Sequence, residues 1–117
     1  MDSILTSIKQ LLGGISETET HFDSEIIMDI NTAFSMLTQM GAGPITGFSI
    51  SDKTSVWTDF IPDMSKVEMI RSYVHLKVKL LFDPPASSTV VEVINRQIAE
   101  LEWRINNSVD SGEGVTT

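Results

Sequence analysis

The chain contains no cysteine, only two histidines, and eight lysine or arginine residues against sixteen aspartates and glutamates. Without cysteine there is no disulfide framework, no thiolate nucleophile and no thiolate metal site, and redox usage says nothing of the compartment. The two histidines, His21 and His75, stand far apart. Neither has the H-x3-H spacing with a nearby carboxylate that a zinc site uses. Serine, histidine and aspartate all occur, but nothing like G-x-S-x-G accompanies them. The glycine-rich stretch "GAGPITG" at 41–47 follows a helical pattern rather than a strand and lacks the lysine and hydroxyl of a P-loop, so it reads as a helix stop and turn. Acidic pairs such as Glu17/Glu19 read as solvated charges. The expectation is no catalytic residue, no cofactor, no metal, and no enzyme.

Long hydrophobic runs are also missing, and none approaches the ~20 residues of a membrane span. The opening "MDSILTSIKQLLGG" starts acidic and is interrupted by Ser3, Thr6, Ser7, Lys9 and Gln10, which a secretory leader would not tolerate. The 117 residues are enough for one modest core. The chain is expected to be soluble and intracellular, with a helical domain at 1–107 and a tail at 108–117.

Scarcity of positive charge bears on partners. A net charge of −8 argues against affinity for a phosphate backbone, since duplex binders carry a basic face that releases counterions. The imbalance is uneven: residues 1–65 hold nine acids and two bases, residues 66–117 seven acids and six bases. Lys66, Arg71, Lys77 and Lys79 crowd into fourteen positions. An acidic surface with one basic stripe suits a subunit that pairs with its own copies. The plainer alternative is a solvated face whose charge keeps the chain soluble.

What is present is helical periodicity. Ile4, Leu5, Ile8, Leu11 and Leu12 mark a short helix over 2–12, stopped by Gly13-Gly14. A second helix opens at Asp23, read as its N-cap, with Phe22 positioned to staple onto Ile27. Ile26, Ile27, Ile30, Ala33, Phe34 and Leu37 form its apolar stripe, and Gly41 ends it. Met28, Met36 and Met40 widen that stripe, either filling core gaps or marking an adaptable contact surface. Residues 42–62 lose the helical period. There "GFSIS" and "TSVWT", joined by "DK", allow a small hairpin, and Trp57 and Phe60 either pin the loop to the body or anchor a partner.

The third helix starts with a capping box, Ser65 with Glu68, and a Met64–Met69 staple. Val67, Ile70, Val74, Val78 and Leu81 line one of its faces, and Met69, Tyr73, Leu76 and Leu80 a second. A helix this apolar is central to a core or an assembly. Arg71, His75 and Lys79 stack on its remaining side. Pro84 drives Asp83 out of the α region and Pro85 keeps the chain extended, so Asp83, Pro84 and Pro85 form an elbow. Ser87, Ser88 or Thr89 then caps a fourth helix, whose Val90, Val91, Ile94, Ile98, Leu101 and Ile105 alternate steps of three and four. Glu92–Arg96 and Glu100–Arg104 are favourable i, i+4 pairs. The fold class is therefore all-α: a four-helix, bundle-like subunit with a long loop between the second and third helices and an extended C-terminal tail. That tail, "NNSVDSGEGVTT", has no core-forming pattern.

The stretch "RSYVHLKVKLLFDPPASSTVVEVINRQIAELEWRIN" resembles the tailed-phage head–tail connector, or adaptor, proteins. Many of these carry Y-V-x-L-K-x-[KR]-L-L-F-D-P-P on one helix, then S-S and a helix rich in N-R and E-L-E-W-R. The upstream "FDSEIIMDINTAFSMLTQMGAGPITGFSI" and "WTDFI" look like the same family's second helix and loop. The resemblance runs from residue 2 to about 107 and is most specific from Tyr73 to Arg104.

The resemblance implies a helical subunit of a homo-oligomeric ring, usually a dodecamer, in the virion neck, assembled in the host cytoplasm. The ring would sit beneath the portal protein, extend the DNA channel without binding DNA specifically, and offer a platform for the next neck protein, the stopper. No membrane is involved. In such a ring Arg71, His75 and Lys79 would meet a neighbour's Glu92, Glu100 or Glu102, or face the channel. Val109 and Val115 would peg the tail to the portal or to a neighbouring subunit. The rival expectation is a small cytosolic acidic helical module that binds one partner or serves in regulation.

Overall fold

The computed structural model describes residues 3–108 and contains five helices in chain order. These are α1 (Ile4–Leu11), α2 (Asp23–Gln39), α3 (Trp57–Phe60), α4 (Met64–Phe82) and α5 (Ser88–Ser108). Among the described residues the only β-pairing is one isolated bridge, Ser3 to Val56. The all-α expectation holds, with one short helix more than the periodicity suggested.

α4 packs against all four other helices, most extensively against α2. Its Val67, Ile70, Tyr73, Val74 and Val78 are buried, meeting Ile26, Ile30, Ala33, Phe34 and Leu37 of α2 and Ile4, Leu5 and Ile8 of α1. Such side chains contribute about 1.5–3 kcal/mol each on full burial. α5 buries only Ile94, Ile98 and Ile105, so it lies along one side of α4 with most of its circumference open.

Two helix starts differ from the sequence reading. α2 begins at Asp23, but its N-cap is Phe22, without a side-chain cap bond. Asp23 serves Lys9 instead. That lysine is 2% exposed, sits 2.7 Å from Asp23 Oδ1, and donates to the Glu19 carbonyl at 2.8 Å. A buried ammonium is costly without a counter-charge, so the pairing takes precedence over capping. Phe22 packs edge-on against Phe82, ring centroids 5.6 Å apart. α4 begins one residue before Ser65, with Asp63 as its cap. Ser65 donates its N–H and hydroxyl to Asp63 Oδ1 at 3.0 and 2.7 Å, and these bonds hold the Asp63 carboxyl below the usual range. The Ser65–Glu68 capping box is not formed.

The hairpin allowed over 47–58 does not form either. Both backbone groups of Ile50 are taken by one side chain: Asn31 donates to its carbonyl at 3.0 Å and accepts from its N–H at 2.8 Å. The other half of the expected hairpin pairs with the N-terminus, since the Ile4 N–H donates to the Ser55 carbonyl at 2.9 Å. Trp57 and Phe60 then turn inward on α3, the indole N–H donating to Ser7 Oγ at 2.9 Å. Phe34, Phe48 and Phe60 stack with centroids 4.7–5.3 Å apart. The aromatics pin the loop and leave no ring free to anchor a partner there.

α1 completes the cover of α4. His75 hydrogen-bonds the Leu11 backbone. Burial above all, with the Lys79 charge adding to it, pushes the imidazole pKa down, against the opposing pull of that bond. The folded chain therefore takes up this proton at lower pH than the unfolded chain. His75 contributes its stability above about pH 6.5, and that contribution is lost as pH falls through the depressed folded value. Urea unfolding midpoints should decline between pH 7 and 5.5, and His75→Gln should flatten that decline; an unaltered slope would contradict this assignment.

Glycine matters most at Gly43, where φ is +78° and an added Cβ would run into the Phe60 ring. Gly47 shares the positive φ, at +93°, but has open space around it. Gly43→Ala should cost about 3 kcal/mol, from backbone strain plus displacement of the ring. Gly47→Ala should cost only the strain, about 1–2 kcal/mol. Denaturant titration of the two variants measures the difference, and equal losses would show that Phe60 is free to move.

Candidate assembly surfaces

The elbow joins α4 to α5 and is built from several groups. Asp83 caps α4 with φ −145° and ψ 66°, its N–H donating to the Lys79 carbonyl at 3.0 Å, while Lys79 Nζ reaches Asp83 Oδ2 at 3.2 Å. Pro84 and Pro85 carry the chain out of the helix. Of the three capping candidates, Ser87 acts: its Oγ accepts from the Val90 N–H at 3.3 Å, and its carbonyl takes the Val91 N–H at 3.1 Å. The Phe22–Phe82 contact, which periodicity could not reveal, ties this end of α4 to the linker before α2.

The stripe Arg71, His75 and Lys79 does lie along one side of α4, but its members do different work. The Arg71 guanidinium stands 5.7 Å from the centre of the Trp57 ring, within cation–π range, and 3.7 Å from Glu68. Arg71 also lines a shallow groove with Ser3, Thr6, Ser7, Gln10 and Leu11 of the N-terminal segment. His75 is held against α1 as described, and Lys79 pairs with Asp83. Two of the three residues thus help dock α1 and α3, and Lys79 belongs to the elbow.

The three candidate carboxylates also separate. Glu92 pairs with Arg96 at 3.2 Å on the open side of α5, and Glu100 with Arg104 at 2.8 Å along the edge of the groove between α4 and α5. Glu102 faces inward and accepts from the Tyr73 hydroxyl at 3.1 Å. Burial, then the Glu102 charge, pushes the Tyr73 phenol well above its ordinary pKa, so it stays protonated and donating. The same hydroxyl lies 3.8 Å from Met36 Sδ, which places Tyr73 where α2, α4 and α5 meet. Val109 and Val115 lie outside the described residues.

Exposed apolar side chains form the remaining surface. Met28 is 66% and Trp103 65% exposed, with Met36, Leu81, Val90 and Val93 also open, while Met40 packs on the core. Of the three methionines, then, Met40 fills core space while Met28 and Met36 stay exposed. An open groove between α4 and α5 is lined by Met69, Ser72, Leu76, Gln97, Leu101 and Arg104 among others. Among the described residues no three metal-binding side chains converge, and no helix is long and apolar enough to cross a membrane. What the surface offers is extended contact area.

No curated protein matches the chain, and no solved structure does. The sequence profile of a family described as "Phage connector protein" matches residues 4–112, which takes in α1 to α5, the loop and the elbow. With nearly the whole length matched, the chain belongs to the phage connector proteins.

Proposed function

We propose that the protein is a head–tail connector of the adaptor kind: a ring subunit seated beneath the portal, extending the DNA channel and carrying the next neck protein. The observation that carries this reading is the family match over residues 4–112. The geometry is compatible with it. The chain offers broad helical faces for contact, and its net charge of −8 would let duplex DNA slide past without adhering. Its work is assembly and passage rather than turnover of a substrate, and its place is the neck of the particle.

The interface residues follow from which charges point outward. Lys79, Glu92 and Glu100 remain candidates for contacts between subunits or with the channel. Arg71, His75 and Glu102 act there only indirectly, by holding α1, α3 and α5 in place. Exposed ion pairs contribute about 0–1 kcal/mol each, so a ring would depend on repeating them in every copy. Val109 and Val115 remain proposed contacts of the tail with the portal or a neighbour.

The elbow sets how α5 is presented. Replacing Pro84 and Pro85 together with alanine should keep the helical circular dichroism signal, because Ser87 and the Phe22–Phe82 contact still mark the break. Assembly should fall sharply, as read by native mass spectrometry with and without the portal. A wild-type chain that stays monomeric in both conditions would favour the one-partner module. A double variant that assembles normally would detach the elbow from ring geometry.

A further inference from the structure

The last turn of α5 borders an apolar pocket. Ser108, half-buried, lines it together with Ile105, Ile45, Phe60, Ile61 and Ile70. Its volume is about 500 Å³, within the range of sites that hold a ligand. Phe60, Ile70 and Ile105 are buried, whereas Ile45 is 98% exposed. That isoleucine is fixed where it stands. The Gly47 N–H donates to the Pro44 carbonyl at 3.0 Å and closes a turn with Ile45 inside it. One apolar group covering pocket and isoleucine together would remove both from water.

The sequence that follows α5 supplies such a group. Ile94, Ile98, Leu101 and Ile105 pack on the core at steps of four, three and four. A further step of four falls on Val109, and Gly112 beyond it is a helix stop. Val109 is bonded to Ser108, itself part of the pocket wall, so reaching the pocket needs no intervening chain. Charge agrees with this placement. Lys66 stands at the pocket, and residues 109–117 carry Asp110 and Glu113 and no base. The Asp59 carboxylate, also at the pocket, accepts from the Val56 N–H at 3.0 Å. The family match continues past Ser108 to residue 112, so the family pattern takes in the root of this segment.

We infer that in the unassembled subunit residues 109–113 dock onto the chain's own pocket, with Val109 seated against Ile45 and Ile70 and the acidic side chains directed to Lys66. The segment is a latch between the end of α5 and the turn at 44–47. This goes beyond the ring reading and does not need it. An outward contact of Val109 with the portal or a neighbour requires release of the latch, a requirement that Val115 does not share.

Methyl-labelled full-length chain, studied by nuclear Overhauser spectroscopy, tests the docking. The expected result is contact from Val109 to Ile45 and Ile70, with none between chains when two labelling patterns are mixed. In urea titration Val109→Asp should lower the folding equilibrium constant roughly tenfold, the loss of one seated valine, while Val115→Asp leaves it unchanged. Contacts seen only between chains would give the pocket to the tail of a second copy, and absence of contacts would leave it open. Either result overturns the latch, as would equal urea midpoints for the two variants. None of these readouts involves assembly, so the ring reading stands or falls separately.

Discussion

α4 carries apolar side chains around so much of its 19 residues that no single neighbour can cover it, and the rest of the fold answers that demand. α2 covers the broadest side, α5 a second, and α1 with α3 a third. The last of these arrangements explains features that look odd in isolation. A lysine is buried in α1 because α1 is too short to stand alone and is fixed by the Lys9–Asp23 pair at its far end. The long loop folds inward because Trp57, with Arg71 over its ring, closes the side of α4 that α1 leaves open.

The architecture was legible wherever it depended on period and punctuation. The two longest helices show their apolar stripes at steps of three and four, and the elbow is written in Asp83, Pro84, Pro85 and the serines that follow. The errors share one physical cause, competition between local and distant partners for the same group. Asp23 suits an N-cap, but Lys9, far away in sequence, makes the stronger demand. Ser65 suits a cap, but Asp63 is a better acceptor two residues earlier. The β-prone segments failed to pair with each other because Asn31 and the N-terminal strand-like residues had already taken their backbone groups. Similarly, the stripe of Arg71, His75 and Lys79 is real as a register, yet spacing along one helix cannot say which neighbours will fold over it.

Function was legible from a motif rather than from a constellation of reactive groups. The elbow and the helices beside it carried the family resemblance, and the family match extends over the loop and the other helices as well. The structure adds a division of labour. Polar groups such as Tyr73, Glu102 and Lys9 hold the helices in one arrangement, while the exposed Glu92 and Glu100 of α5 are each paired with an arginine of the same helix.

The central claim is that this chain forms a ring in the neck of a phage particle. Cryo-electron microscopy of particle necks carrying a label fused to this chain tests it most directly. The account predicts a closed ring of labelled subunits immediately beneath the portal, coaxial with the DNA channel. Label found elsewhere in the particle, absent from it, or present as a single copy at the neck would contradict the account.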